Sequence, residues 1–289
     1  MTPTLLSKTV FATLLLSAGS TAAYADQRIA SFDLGSLDTL DALGANEQVI
    51  GVPKQSLPAY LEQYTEERYT DIGGLRSPDL EALGASEPDL IIYTGRQGEW
   101  EEELGEIAPL FNAGLQGDDY LAAFDANVRE LASLAGVEAQ AEDALESLHN
   151  DIEAQRSALS DAPRTLVVTH NDGNLMLNQH PVVHQVLDIA TLEMPDSVTS
   201  ETRGNRVFTP LSPDAIAEIA PDIMLVIDRS AAIGNEPADA DGLHQALADA
   251  GADTQLVILT PDLWYLSGGG LQSLALQIEE VSSALSNAH

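Results

Sequence analysis

Cysteine is missing from this 289-residue chain altogether. That excludes a disulfide framework, a thiolate metal site and a lipid anchor on cysteine. Basic residues are scarce: 12 lysines and arginines stand against 46 acids, a formal net charge of −34. This balance argues against nucleic acid and anionic membranes as partners, since both need a basic face. It matches the hydrated, self-repelling surface of proteins adapted to salt, an acidic halophilic-type composition. Any anion bound here has to be held by a few placed cations working against the global field. Aromatic residues make up only 5% of the chain. No apolar run is long enough to span a bilayer.

What is present begins with a short apolar stretch, "VFATLLLSA", behind Lys8 and ahead of "AYA". This reads as a cleavable secretory signal over residues 1–25. The mature chain is expected to be soluble, exported and, in a two-membrane bacterium, periplasmic. It should be monomeric, without a direct membrane anchor and without an intrinsic cofactor. The remaining residues, 44% hydrophobic over the whole chain, suffice for one large domain or two of medium size.

Strand and helix signals alternate. "RIASFD", "EQVIGVP" and "DLIIYT" read as strands, and "LDTLDALGA" has helical spacing. "SPDLEALGA" reads as a helix capped by Ser77 with Pro78 at its first position. From about Tyr120 to Leu159, apolar residues recur at helical spacing along Ala141, Leu145, Leu148, Ile152 and Leu159, predicting one long amphipathic helix. Strands then restart at "PRTLVVTHNDGN". The fold class expected is α/β: two Rossmann-like lobes with mostly parallel sheets, joined by one long rigid helix. The boundaries fall at 26–134 for the first lobe, 135–162 for the connecting helix and 163–289 for the second lobe.

The halves echo each other. "SPDLEALGASEPDLIIYTGR" and "SPDAIAEIAPDIMLVIDR" share one order: Ser-Pro-Asp, helix, Pro-Asp, strand, arginine. Arg96 follows Asp89 and Arg229 follows Asp222 at the same spacing. Both arginines lie just past strands, where parallel sheets bind ligands. "ETRGNRVF" adds Arg203 and Arg206 on a turn, and "GVPK" adds Lys54. These are five of the eleven basic residues beyond the leader. Guanidinium forks suit delocalised oxyanions. In "LVILTPDLWYLSGGG", Trp264 and Tyr265 offer rings that either stack on an aromatic ligand or plug the C-terminal core. The Tyr265 phenol is also a hard donor for a hard cation.

Enzymatic signals are weak. There is no nucleophile elbow and no phosphate loop. His180 and His184 are spaced for one helix face, but Pro181 lies between them. A metal-dependent hydrolase using His170, Asp172 and His184 is the reading of a different class.

The segments "SFDLGSLDTLDALGA", "VIGVPKQSLPAYL", "YTDIGGLRSPDLEALGASEPDLIIYTGRQ", "LFNAG", "IMLVIDRSAAIG" and "WYLSGGGLQSLALQIEEV" run through both halves in order. In them the chain resembles the periplasmic siderophore-binding proteins of ABC iron importers, in the ferric-catecholate branch of the iron-siderophore/vitamin B12 family. The resemblance implies a class III solute-binding fold. It also implies capture of an anionic ferric siderophore for a membrane-embedded ABC permease, without catalysis. Haem, cobalamin or another metal chelate is the related alternative. By the matching motifs, Arg96 and Arg229 correspond to catecholate-binding arginines, Tyr265 to an iron-ligating tyrosine and Lys54 to a cleft lysine. Glu81 and Asp214, one per lobe, correspond to acids that meet the permease. Where relatives carry Arg-Phe-Gly, this chain has Gln179-His180-Pro181. The pocket arginine is thus missing there, and His180 or Arg203 is the expected substitute.

Overall fold

The computed structural model describes residues 27–287 except Asn205. The leader predicted over residues 1–25 lies outside the described residues. The chain builds two five-stranded sheets. The first contains β1 (Ile29–Ser31), β2 (Val49–Val52), β3 (Thr70–Asp71), β4 (Leu90–Tyr93) and β5 (Leu110–Asn112). Its order is β3-β2-β1-β4-β5, with every pair parallel. The second contains β6 (Thr165–Asn171), β7 (Asn174–Leu177), β8 (Pro210–Leu211), β9 (Ile223–Asp228) and β10 (Gln255–Leu259). Its order is β8-β7-β6-β9-β10. There β6, β9 and β10 are parallel, and β7 and β8 form an antiparallel edge. The central strands read as continuous apolar runs, such as "IMLVID", because helices or loops cover both of their faces.

The echo between the halves has a structural basis. Asp89 accepts from the backbone N–H of Arg28, and Asp222 accepts from that of Arg164, ahead of the first strand of each lobe. The Nε and Nη2 of Arg28 bond the carbonyls of Glu87 and Ser86; those of Arg164 bond Ala220 and Ile219. The same carboxylate–arginine clasp closes each helix-to-strand turn. One spacing therefore carries Arg96 and Arg229 to equivalent places beyond β4 and β9.

Two helix assignments differ from the sequence reading. The long helix is two: α3 (Tyr120–Ala135) and α4 (Glu138–Ala158). Gly136 separates them as a left-handed cap, φ 70 and ψ 34, whose N–H bonds the Ala132 carbonyl. The apolar stripe from Ala141 to Leu159 begins beyond Gly136, so its periodicity carries no signal of the break. The helix α2 (Leu80–Ala85) starts later than expected, capped by Asp79. Ser77 and Pro78 instead pair antiparallel with Gly73–Gly74. In the second half the expected start holds: Ser212 caps α5 (Pro213–Ile219), with its proline in the first turn.

The lobes share one hydrophobic core. It includes Leu37 on α1 (Leu34–Ala42), Leu145 and Ile152 on α4, Leu225 on β9, and Leu274 and Ile278 on α8 (Leu271–Ser286). The C-terminal helix α8 thus returns to pack on α1 of the first lobe. Asp38 fixes this crossing. It is fully buried, and its carboxylate accepts from the N–H groups of Gln272 and Ser273 and from the Tyr60 hydroxyl. That caps the start of α8 from the other lobe. Gly270 is required there, because a Cβ would collide with Asp38 Oδ1 and the Gly35 carbonyl.

Burial pushes the Asp38 carboxyl up to about 7, against the pull of the Ser273 and Gln272 donors. A raised folded-state value means stability that is present below the ordinary carboxylate range and lost as pH rises through about 7. Asp38→Ala leaves two helix N–H groups without acceptors and is expected to cost roughly 2–4 kcal/mol under mildly acidic conditions. The deficit should narrow as pH rises through about 7. Urea unfolding of both proteins at several pH values measures it, and a pH-independent difference would contradict the argument.

Candidate functional site

Strand order reverses between β1 and β4, so the carboxyl ends of these strands open onto the seam between lobes. At β1, Asp33 caps α1 by accepting from Ser36 N at 2.8 Å. Its carboxyl is raised by burial, although the bonds from Ser36 and the charge of Arg96 oppose this. At β4, Thr94 and Gln97 form a capping box that orders the turn carrying Arg96. In the second lobe Asp228 ends β9 and caps α6 (Arg229–Ala232), which sets Arg229 at the mouth of the seam.

These two arginines meet at Tyr265, the last residue of α7 (Pro261–Tyr265). Arg96 donates from Nη2 to the Tyr265 carbonyl at 2.6 Å and from Nη1 to the Leu266 carbonyl at 2.8 Å. Arg229 donates from Nε to the Tyr265 hydroxyl at 2.7 Å and from Nη1 to Asn171 Oδ1. Their guanidinium carbons lie 5.9 and 5.4 Å from the Tyr265 ring centroid. Burial pulls the Arg96 guanidinium below its ordinary value, with Asp33 and Tyr265 opposing this; an arginine remains charged all the same. A positively charged bracket thus surrounds a phenol whose oxygen accepts one hydrogen bond.

The cleft beside this bracket measures about 610 Å³. Gln55 and Ile233 stand on its walls, and a third arginine, Arg76, joins Arg96 and Arg229. No aspartate or glutamate is among the described residues that line it, in a chain with 46 acids. Arg76 stands just before "SPDLEALGA", a segment whose pattern reads as a helix start and gives the arginine no place in a site. The Gly73–Gly74 bridge to Ser77–Pro78 instead makes it a loop tip. Its rarity as a cation was the available signal. Another cavity, about 690 Å³, lies elsewhere in the second lobe among the described residues. Arg164 on its wall is committed to backbone carbonyls.

Lys54, Trp264 and His180 are not among the described residues that line this cleft, although His180 shares a smaller adjoining cavity with Arg96. Lys54 donates to the carbonyls of Thr65 and Glu66 and is not among the lining residues. Trp264 is 4% exposed, donates from Nε1 to Glu280 at 2.6 Å and meets the His180 ring edge-on at 4.9 Å. It is a core residue, while its neighbour Tyr265 faces the cleft. Burial, and to a lesser degree His184, pushes His180 down to about 4. A neutral ring there does not offer the positive charge expected of it, and the third cation on the cleft wall is Arg76. Arg203 and Arg206 pair across an antiparallel hairpin, Glu201–Arg203 with Arg206–Phe208. Their side chains lie outside the described residues.

The hydrolase candidates do not converge. His170 bonds Asp228 at 2.8 Å, whereas His184 Nδ1 bonds the Ile189 carbonyl at 2.8 Å. Among the described residues, no group of three or more histidines and carboxylates could hold a metal. Glu81 and Asp214 are exposed in the first turns of α2 and α5.

Comparison with known proteins gives consistent relatives. The sequence model of the family described as periplasmic binding protein matches residues 29–263. The petrobactin-binding protein YclQ of Bacillus subtilis is 31% identical over 267 residues, covering 90% of this chain and 82% of the relative. Its crystal structure superposes with a TM-score of 0.78, covering 90% of this chain and 92% of that one. The iron uptake ABC transporter substrate-binding protein PiuA of Streptococcus pneumoniae superposes with a TM-score of 0.81 at 32% identity, covering 90% and 93%. The ferric-anguibactin-binding protein FatB of Vibrio anguillarum is 25% identical, covering 88% of this chain and 81% of the relative.

Proposed function

Because this chain belongs to the periplasmic binding protein family, we propose that it captures a ferric siderophore, of catecholate type, and delivers it to an ABC permease. The observation that carries this reading is the cleft: three arginines and no carboxylate among its described lining residues, in a strongly acidic protein. A ferric catecholate is an anion whose charge is spread over ring-bound oxygens. Forked guanidinium donors match that distribution. Arg76, Arg96 and Arg229 surround the complex, and Tyr265 lies against its ring or its metal. Each bracket arginine makes two protein bonds and keeps its other N–H groups for a ligand.

The protein is a binding protein rather than an enzyme, as its family is. The working form is a monomer in the periplasm, exported through residues 1–25. No helix among the described residues is long and apolar enough to cross a membrane. No intrinsic cofactor is needed, since iron arrives as cargo.

Titration with a panel of ferric catecholates, ferric hydroxamates, haem and cobalamin tests the reading. Ferric catecholates should bind most tightly and quench the intrinsic emission through overlap with their near-ultraviolet absorption. Tight binding of haem or cobalamin alone would replace the cargo, and binding of none would remove the function. Tyr265→Phe separates ligation from packing. If the phenol oxygen binds iron, the visible charge-transfer band of the bound complex shifts in the variant. An identical spectrum leaves Tyr265 as a ring against the ligand.

A further inference from the structure

His170 is 4% exposed and Asp228 1% exposed, directly opposite each other across β6 and β9. Both nitrogens of the His170 ring are in use. Nδ1 meets Asp228 Oδ1 at 2.8 Å, and Nε2 accepts from the Gly173 N–H at 3.1 Å. A backbone N–H aimed at Nε2 requires a lone pair there, so the ring is neutral with its proton on Nδ1. Asp228 also accepts from Ala231 N at 3.1 Å and Ala238 N at 2.7 Å. Burial would raise its carboxyl, but these donors and His170 outweigh burial and hold it below its ordinary value.

The turn that His170 closes carries the partner of Arg229. Asp172 and Gly173 adopt left-handed backbone, φ 48 and 78, and Asp172 N donates to the buried Ser230 Oγ at 2.8 Å. Asn171, held between these two anchors, presents Oδ1 to Arg229 Nη1. The charged and titratable groups around the ring are Asp172 on its own turn, Asp228 on β9, Arg229 on α6 and, beyond Arg229, Tyr265 on α7.

We propose that His170 is a positioning residue for Arg229: neutral, it locks the β6–β7 turn so that Asn171 steers the guanidinium toward Tyr265, and protonated, it releases it. A second ring proton would face the Gly173 N–H donor to donor. The turn then opens, Asn171 withdraws, and Arg229 loses the contact that aims it. Affinity for an anionic ligand should therefore fall with acidification faster than ligand chemistry alone dictates. The consequence for affinity rests on the reading that Arg229 binds the ligand; the positioning itself does not.

The test uses the mature, ligand-free protein and follows the Arg229 Nε–H by nitrogen-15 NMR from about pH 8 to about pH 5, the range over which histidines titrate. In wild type this signal should move as the pH falls. In His170→Phe it should already be displaced near neutrality. His170→Gln keeps a donor for Asp228 and an acceptor for Gly173 without titrating, so its signal should match neutral wild type and stay fixed. With a hexadentate ferric tris-catecholate as probe, wild type should lose about tenfold more affinity than His170→Gln over the same interval, the lower end of what a hydrogen bond to a charged group contributes. A wild-type signal that does not move, or one that moves identically in His170→Gln, overturns the proposal. If the ferric probe fails to bind wild type at any pH, the siderophore reading falls while the NMR result still decides the positioning.

Discussion

Arg96→Ala and Arg229→Ala are each expected to weaken binding of a ferric catecholate about ten- to a hundredfold. A hydrogen bond to a charged group contributes roughly 1.5–3 kcal/mol, which sets that range. The losses have different structural routes. Arg229→Ala removes a donor to the ligand and also frees the Tyr265 hydroxyl and Asn171. Arg96→Ala removes a donor and releases the carbonyls of Tyr265 and Leu266, loosening the glycine-rich crossing to α8. Because both act on Tyr265, the double variant should lose less than the product of the single effects. Net charge is a competing explanation in so acidic a chain. Arg129→Ala tests it: that arginine pairs with Glu142 on the helices between the lobes, and its removal changes charge equally. Affinity near wild type for Arg129→Ala, with large losses for the cleft variants, assigns the effect to placed guanidinium groups. Arg96→Lys and Arg229→Lys, which keep charge but lose the fork, should fall between. Unchanged affinity in both alanine variants would mean that the ligand binds elsewhere.

The lobes were legible because parallel sheets write themselves as apolar runs between helical segments. The Asp89–Arg96 and Asp222–Arg229 spacings also betrayed a shared plan. Those spacings were read from local grammar, and the Arg28 and Arg164 clasps explain why they hold. Legibility ended where a choice depended on contacts distant in sequence. Trp264 and Tyr265 are adjacent, yet one donates to Glu280 in the core and the other meets two arginines; a short helix sends neighbours in different directions. Lys54 follows a strand just as Arg96 does, but a following loop offers it the carbonyls of Thr65 and Glu66. Arg76 was hidden by a two-residue bridge that no periodicity announces. His170 has its buried partner Asp228 on the other strand of the β6–β9 pair, a pairing invisible until the strands are placed in register.

Reversing Glu81 and Asp214 together is expected to abolish siderophore-dependent ATP hydrolysis by the reconstituted permease, while affinity for the ferric ligand in solution stays near wild type. Both residues are exposed, and both stand second in a helix that precedes a central strand, one in each lobe. This equivalence survives although the helices are capped differently, by Asp79 in one lobe and Ser212 in the other. An acid in a first helical turn also complements the helix dipole, and that alone would account for either residue. The dipole does not require an acid at the same step of both lobes. If the pair fixes the docked orientation, one charge per lobe sets rotation as well as position, and each should meet a basic group of the permease. The single reversals should then lower ATP hydrolysis partly and by similar amounts, since losing either contact leaves the complex free to pivot. Asp214 is one methylene shorter than glutamate, so Asp214→Glu should preserve or improve coupling if reach matters. Two controls separate docking from folding: thermal unfolding of each variant, and titration of the soluble protein with the same ferric catecholate. Transport that survives the double reversal, or ligand affinity that falls in step with it, would leave Glu81 and Asp214 as helix-dipole partners alone.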